Sequence, residues 1–308
     1  MKLGVVLVHG IGRQRPEWAR DIIRALQARV QAETARWLQG RPPAAEELAV
    51  FASVHWADLL QERQRLLREA LKAAEEPLPI GGTWWRTLWR RLIARVKRAE
   101  HAFVADFIGD IIGYLEPGAR ADVHAAVTAT LESLAAQLAP TDGKVPLTFI
   151  AHSLGTVIVS NEVWDRTKER RGQGQEGFHG ALRVDNFFSL GSPLALFSLQ
   201  YGGPEAFKYP IAMEDARGRW VNVFDRDDPV GMPLKGLNEA YERAVWKDAR
   251  VNSGAYLLSH GGYFKDPQTL TIISAKLALD WLALNGRLTP AQQDACVARY
   301  DQTLELGP

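Results

Sequence analysis

The chain places a serine between two small residues where a strand-like run gives way to a helix-like one. Residues 151–155 read Ala-His-Ser-Leu-Gly, directly after the apolar run 145–150 and directly before a helical pattern. A strand leads straight into a helix only through a sharp turn, in which side chains two positions before and after the central residue would collide. Alanine and glycine at those positions predict such a turn, with the hydroxyl of Ser153 held clear of the backbone at the end of a strand.

Apolar runs with the length of strands alternate with helical patterns along most of the chain. Predicted strands cover residues 3–8, 48–56, 145–150, 184–190 and 220–224, with a weaker one at 251–258, and the main predicted helices cover 17–38, 121–138 and 266–284. Strands that are apolar throughout and separated by helices are typical of a parallel sheet covered on both faces. The predicted fold class is therefore α/β, with a doubly wound, mostly parallel sheet.

Residues 57–116 do not follow this alternation. The segment is long, helical in composition and without a strand pattern, and Gly81 and Gly82 divide it into two arms. We interpret it as a helical cap, or lid, that is inserted into a core domain made of residues 1–56 and 117–308.

Composition bounds the class of protein and its compartment. The chain has 308 residues and a net charge of +1, which argues against a dedicated nucleic-acid binder. The single cysteine, Cys296, allows no internal disulfide, so nothing requires an oxidising compartment. The apolar run at the N-terminus is too short for a secretory signal, and no stretch reaches the ~18 apolar residues of a membrane span. We therefore expect a cytoplasmic protein.

A serine hydroxyl is a weak nucleophile at neutral pH, so it needs a base, a group that orients the base, and donors for an oxyanion. The first predicted strand ends in His-Gly-Ile-Gly at residues 9–12, and glycines there let a backbone amide face the space above the sheet. The backbone amides of Ile11 and Leu154 are the expected oxyanion donors. The alternative interpretations are that Ser153 only caps a helix and that residues 9–12 form an ordinary glycine turn.

Seven histidines are candidates for the base, and their positions separate them. His9 and His152 belong to the two turns, where packing or hydrogen bonding within the turn accounts for them. Four others lie at a strand end, in helical stretches or in a polar loop: His55, His101, His124 and His179. His260 lies among small residues between the weak strand and a predicted helix, so we expect its ring to turn toward the serine. A histidine of a surface loop is the alternative.

The acid that orients the histidine is expected in the loop after the predicted strand 220–224, which carries Asp225, Asp227 and Asp228. Asp228 is the first choice, because the proline and valine after it would fix the loop against the core and direct one carboxylate inward. Asp225 and Asp227 stay open as alternatives. Asp185 lies at the beginning of its predicted strand and so at the wrong end of the sheet. The order along the chain is then serine, acid, histidine.

Together these motifs resemble those of the α/β-hydrolase superfamily, on its lipase-like and esterase-like side. The resemblance rests on HGIG at 9–12, AHSLG at 151–155, GSP at 191–193, DPV at 228–230 and SHGGY at 259–263. It implies the α/β-hydrolase fold for the core, with Ser153 as nucleophile, His260 as general base and then general acid, and Asp228 as its orienting group. One departure is alanine at position 151, where glycine is more usual.

The insertion contains a segment, from Trp84 to Arg98, that combines tryptophans with basic side chains. The basic residues are Arg86, Arg90, Arg91, Arg95, Lys97 and Arg98, with no acidic residue among them. Such a helix suits a lipid headgroup interface, so an anionic membrane surface is a candidate partner and the protein would lie at the membrane periphery. The apolar stretch 103–115 would roof the pocket or pack as core. The alternative roles are cap helices or a homodimer contact, and no nucleic acid is expected.

The sequence therefore predicts a serine hydrolase that cleaves carboxylic esters through an acyl-enzyme on Ser153, without a metal or an organic cofactor. The apolar insertion favours lipid-like or acyl esters as substrates. A thioesterase, an acyltransferase or a peptidase would use the same triad, and the fold does not separate these reactions. From a different class, the alternative is a non-catalytic binding or membrane-surface protein on a hydrolase scaffold, with the insertion as its binding surface.

Overall fold

The structure, a computed structural model, describes residues 1–11, 14–59, 111, 113–139, 143–254 and 256–305. Within these ranges, six strands form one sheet in which every neighbouring pair runs parallel. The strands are β1 (Leu3–Val8), β2 (Ala49–Val54), β3 (Val145–His152), β4 (Leu182–Leu190), β5 (Arg219–Phe224) and β6 (Lys247–Arg250). Their order across the sheet is β2-β1-β3-β4-β5-β6. Most of the predicted insertion lies outside the described residues.

Helices cover both faces of this sheet. In chain order they are α1 (Arg20–Ala35), α2 (Ala45–Leu48), α3 (Pro117–Leu138), α4 (Leu154–Gly172), α5 (Leu194–Phe197), α6 (Glu239–Ala244), α7 (Pro267–Leu284) and α8 (Pro290–Glu305). One core cluster joins α3 and α4 to the sheet, and a second joins α1, α7 and α8 to it. Across the described part of the chain, no helix is both long and apolar enough to cross a membrane. The chain has an α/β fold with a parallel sheet flanked by helices, as predicted.

The sequence of β1 shows why the strands are apolar at every position. Leu3, Val5 and Leu7 belong to the cluster that contains α1 and α7. Val6 and Val8 belong to the cluster that contains α3 and α4. Because successive side chains of a strand point to opposite faces, a strand covered on both faces buries all of them.

Most predicted elements agree with the structure. β1 has its predicted bounds, and β3, β4 and β5 extend their predicted ranges by one or two residues at an end. α7 begins where it was expected, because the Asp266 side chain accepts a hydrogen bond from the backbone amide of Thr269 at 2.6 Å. β2 is shorter than predicted at both ends: Leu48 belongs to the helical turn Ala45–Leu48, and the strand ends at Val54 rather than at Trp56.

The predicted strand at residues 251–258 is wrong. The strand in this part of the chain is β6, which ends at Arg250, and Tyr256–Gly261 form a 3-10 helix. β6 pairs with β5 at the edge of the described sheet and fully buries only Ala249. Its polar sequence therefore contains no apolar run that could reveal a strand.

Asp185 lies inside β4, which begins at Leu182, two residues before the predicted start of the strand. Its two carboxylate oxygens accept hydrogen bonds from the guanidinium of Arg183 at 2.6 and 2.9 Å. Asp185 is nevertheless in the N-terminal half of β4, away from the loops that follow the strands.

The last residues of the predicted insertion include one that packs on the core. Tyr114 is buried in the cluster that contains α3 and α4. Its hydroxyl lies 2.9 Å from Nε2 of His124 and accepts a hydrogen bond from Asn161 Nδ2 at 3.0 Å. By its packing, Tyr114 belongs to the core.

Candidate active site

The predicted site residues lie beyond the carboxyl ends of the strands, at the point where the chain changes its direction of winding. β1 and β3 are neighbours, with Val8 opposite Ala151. The helix after β1 packs on one face of the sheet, and the helix after β3 packs on the other. In a parallel sheet this arrangement opens a crevice between the two strand ends, and ligands bind in such crevices.

Ser153 occupies a sharp turn between β3 and α4. Its backbone has a φ of 53° and a ψ of −128°, a conformation that residues other than glycine rarely adopt. Its amide donates a hydrogen bond to the carbonyl of Leu190 at 2.9 Å, and the hydroxyl of Thr156 donates to the carbonyl of Ser153 at 2.7 Å. These bonds hold the strained turn against β4 and the first turn of α4. The turn predicted from the sequence is present.

Two glycines let the backbones at the end of β1 and the start of α4 approach closely. A Cβ atom on Gly155 would lie 2.5 Å from the carbonyl oxygen of His9 and 2.8 Å from that of Val8. A Cβ atom on Gly10 would lie 2.6 Å from Cβ of Ser153. These distances are too short for nonbonded atoms, so a larger residue at either position would push the loop after β1 away from the serine.

Ser153, His260 and Asp228 form one line of hydrogen bonds. Nε2 of His260 lies 2.8 Å from Oγ of Ser153. Nδ1 of the same ring lies 2.9 and 3.0 Å from the two carboxylate oxygens of Asp228. The exposed fraction is 0% for Ser153, 3% for His260 and 5% for Asp228. Because a carboxylate accepts the Nδ1 proton, the ring is held in the tautomer whose Nε2 can take the serine proton.

The surroundings of Asp228 favour its ionised form. Oδ1 accepts a hydrogen bond from the amide of Val230 at 2.8 Å, and Oδ2 accepts one from the hydroxyl of Tyr263 at 2.7 Å. Burial alone would raise the pKa of the Asp228 carboxyl, but the hydrogen bonds and charge of His260, together with these two donors, lower the pKa below its usual value. The group therefore stays negatively charged beside the imidazole.

The two alternative acids have other positions. One carboxylate oxygen of Asp225 accepts hydrogen bonds from the amide and the hydroxyl of Ser253, at 2.6 and 2.9 Å. The other accepts a hydrogen bond from the amide of Asp227 at 3.0 Å. Asp225 thus connects the end of β5 to the loop that leads to the histidine, while Asp227 is exposed. Of the three candidate acids, the structure brings Asp228 to His260.

His152 supports the loop that carries His260. Its Nε2 donates a hydrogen bond to the carbonyl oxygen of His260 at 2.6 Å, and the centroids of the two rings are 4.9 Å apart. Of the two explanations expected for His152, packing or hydrogen bonding within its turn, the second does not hold for Nε2, because its partner belongs to a different loop. Burial, reinforced by the nearby His260, lowers the pKa of His152 to about 3, so its ring is neutral.

His9 joins the turn after β1 to the end of β2. Its Nδ1 donates to the carbonyl of Gly10 at 2.7 Å, which is the bond expected within the turn. Its Nε2 accepts a hydrogen bond from the amide of Trp56 at 3.2 Å, and the two rings stack with centroids 4.7 Å apart. Burial lowers the pKa of His9 to about 3, and this ring is neutral as well.

The two expected oxyanion donors belong to the turns that follow β1 and β3. Leu154 is the first residue of α4, where backbone N–H groups have no acceptor within the helix. Ile11 is half-buried and directly follows Gly10, which contacts Ser153. Gly12 lies outside the described residues. Donation by the two amides to a substrate oxygen stays a prediction.

Sequence patterns alone do not assign Tyr263 and Thr156, which both hold parts of this site. Tyr263 bonds Asp228, and Thr156 lies between the carbonyl of Ser153 and the hydroxyl of Ser192, 2.8 Å from the latter. The tyrosine follows the histidine by three residues, but the two lie in separate 3-10 turns, so this spacing does not place the hydroxyl beside Asp228.

The chain matches none of the models of protein families, and no curated protein matches it. Among the described residues, no group of three or more His, Cys, Asp or Glu side chains is arranged to hold a metal ion. The basic segment 84–98 and the apolar residues 103–110 lie outside the described part of the chain.

Substitution of the three acids should separate their roles. Asp228→Asn removes the charge beside the imidazole, so we expect the reaction of Ser153 with a fluorophosphonate probe to slow by roughly 10³-fold or more. Asp227→Asn, at an exposed position of the same loop, is the matched control and should react at the wild-type rate. Asp225→Asn should mainly lower the free energy of unfolding, because that carboxylate accepts hydrogen bonds from a neighbouring loop. Equal slowing in all three variants would contradict the choice of Asp228.

The neutral buried histidines predict a loss of stability in acid. Above about pH 6.5 His9 and His152 are neutral whether the chain is folded or not, so they impose no penalty. As the pH falls from 6.5 toward 3, the unfolded chain binds protons that the folded chain does not, and stability is lost.

We expect His9→Gln, which keeps an acceptor for the Trp56 amide, to reduce the stability lost between pH 7.5 and 5.5 by about 1 kcal/mol. The measurement is urea unfolding of both proteins at the two pH values. If the free energy of unfolding of His9→Gln depended on pH as that of the wild type does, His9 would have the same pKa in the folded and unfolded chain, and the prediction would be wrong.

Proposed function

We propose that this chain is a serine hydrolase of the α/β-hydrolase type, which cleaves carboxylic esters through an acyl-enzyme on Ser153. The observation that carries the proposal is the line of hydrogen bonds from Oγ of Ser153 through both nitrogens of His260 to Asp228, at 2.8 to 3.0 Å. A serine that only capped α4 would bond the helix amides, whereas this side chain makes no capping hydrogen bond within the described turn.

In the proposed reaction, Nε2 of His260 takes the hydroxyl proton as Oγ of Ser153 attacks the carbonyl carbon of the ester. The negative charge moves to the carbonyl oxygen, where the amides of Leu154 and Ile11 would stabilise it. Asp228 stabilises the imidazolium. When the tetrahedral intermediate collapses, the bond to the alcohol oxygen breaks, and Nε2 returns the proton to that oxygen. The alcohol leaves and the acyl group stays on Ser153.

Water then completes the proposed cycle. His260 accepts a proton from the water as its oxygen attacks the acyl carbon. Collapse of the second tetrahedral intermediate breaks the bond to Oγ of Ser153, and the proton passes from the imidazolium to that oxygen. The carboxylic acid is released, and the starting protonation states return without a redox step.

Connectivity supports the α/β-hydrolase assignment. The nucleophile follows a central strand, the acid follows β5 and the histidine precedes α7, which is the chain order serine, acid, histidine of that architecture. In this proposal, the six described strands, in their order β2-β1-β3-β4-β5-β6, are the strands of the α/β-hydrolase core. The ends of β1 and β3 bring the glycine turn and the serine turn together, as the proposed oxyanion site requires.

The proposed lid, residues 57–116, bears on the substrate class. Its sequence combines tryptophans and arginines, which suit a lipid surface. Lipid-like or acyl esters are therefore the proposed substrate class. A thioester, or an acyl acceptor other than water, would pass through the same steps at Ser153.

A fluorophosphonate probe tests the proposal directly. The wild-type protein should be labelled covalently at one site, and Ser153→Ala should not be labelled, as mass spectrometry of the intact chain would measure. Ser160→Ala, which removes another buried hydroxyl of α4, is the matched control and should label as the wild type does. A folded wild type that resists the probe would favour the non-catalytic binding protein.

A series of p-nitrophenyl esters tests the substrate class. If the acyl chain is buried in an apolar pocket, each added methylene contributes about 0.8 kcal/mol, and kcat/KM should rise up to about fourfold per methylene. The rise should continue beyond short acyl chains and be absent in Ser153→Ala. A maximum at acetate or propionate would exclude lipid-like esters while leaving ester hydrolysis in place.

A further inference from the structure

Tyr263 is fully buried beside the carboxylate of Asp228, and its hydroxyl makes two hydrogen bonds. It donates to Oδ2 of Asp228 at 2.7 Å and accepts from the backbone amide of Asp225 at 3.0 Å. The phenol therefore connects the first residue after β5 to the carboxylate three residues later. One hydroxyl fixes both the path of this loop and the position of Oδ2.

The same segment carries His260 and Tyr263 to the carboxylate. Two 3-10 turns follow one another, Tyr256–Gly261 and Tyr263–Lys265. The amides of Lys265 and Asp266 both donate to the carbonyl of Gly262, at 2.8 and 3.0 Å, and Asp266 then caps α7. Tyr263 is thereby anchored to the start of a long buried helix, which gives its hydroxyl a fixed position.

Two glycines leave the space that this pair occupies. A Cβ atom on Gly231 would lie 2.5 Å from Oδ2 of Asp228 and 2.9 Å from the hydroxyl of Tyr263. A Cβ atom on Gly191, whose φ is 54°, would lie 2.6 Å from Cε2 of Tyr263. A side chain at either glycine would displace the phenol or the carboxylate.

We propose that Tyr263 is a positioning residue of the triad, which holds the carboxylate of Asp228 in the plane that faces Nδ1 of His260. This inference rests on the proposed function of Ser153. Without the phenol, the amide of Val230 still holds Oδ1, but Oδ2 keeps the imidazole as its donor and loses the second one, so the carboxylate can rotate about χ2. The two Nδ1–oxygen distances, 2.9 and 3.0 Å, depend on that plane.

The chemistry of a phenol suits this place. A lysine or arginine at the same point would hold the carboxylate but cancel the charge that stabilises the imidazolium. A neutral hydroxyl orients the carboxylate and leaves its charge in place. Burial, with the negative charge of Asp228, raises the pKa of the Tyr263 hydroxyl far above its usual value, so the hydroxyl remains a donor.

The test is Tyr263→Phe, which keeps the ring and removes the hydroxyl. We expect kcat for a p-nitrophenyl ester to fall about tenfold with KM changed less than about twofold, as for a lost hydrogen bond to a charged group. The acid limb of kcat/KM should move to higher pH, because a carboxylate with one donor fewer attracts protons more strongly. If the substitution only lowered the stability of the fold, the acid limb would stay at its wild-type pH once each rate is divided by the fraction of folded protein.

Tyr300→Phe is the matched control. Tyr300 is a buried tyrosine of α8 whose hydroxyl has no hydrogen-bond partner among the described residues, and its loss should change neither kcat nor the pH profile. A folded Tyr263→Phe with wild-type kcat and pH profile would overturn this inference while the labelling of Ser153 still stood. A wild type that no fluorophosphonate labels would overturn the proposed function, and the role of Tyr263 with it.

Discussion

The site depends on a close contact between two backbones, the end of β1 and the first turn of α4. Gly155 lies against the carbonyls of Val8 and His9, and Gly10 lies against Ser153. Strands β1 and β3 are neighbours, and the helices that follow them pack on opposite faces of the sheet. The turns at the ends of the two strands therefore meet in the crevice between them. A methyl group at either glycine would separate the turns, and the strained backbone of Ser153 would lose the surface that holds it.

Features that depend on neighbouring residues in the chain could be predicted from the sequence. Strands buried on both faces must be apolar, which made β1, β3, β4 and β5 visible, and the small residues around Ser153 indicated its turn. The choice of Asp228 was also local, since a proline and a valine follow it. The structure then brings this residue to the imidazole, although the sequence left Asp225 and Asp227 open as alternatives.

Features that depend on contacts between distant segments could not be predicted in this way. β6 is polar because it lies at the edge of the described sheet, so its sequence resembles a loop, and the apolar residues after it suggested a strand where a 3-10 helix forms. The hydrogen bond of His152 to the carbonyl of His260 joins residues 108 positions apart. This partner results from the packing of two loops against each other, so the residue spacing within either loop does not predict it.

Burial determines which groups of the site carry charge. His152 lies beside His260, and His9 lies in the turn whose Gly10 approaches Ser153; both are neutral, because burial lowers the pKa of each to about 3. They therefore add hydrogen bonds without adding positive charge beside the imidazole. Asp228 is buried too, yet donors from His260, Tyr263 and Val230 keep it ionised. The negative charge of Asp228 stabilises positive charge at the ring of His260, and in the proposed mechanism that ring accepts the serine proton.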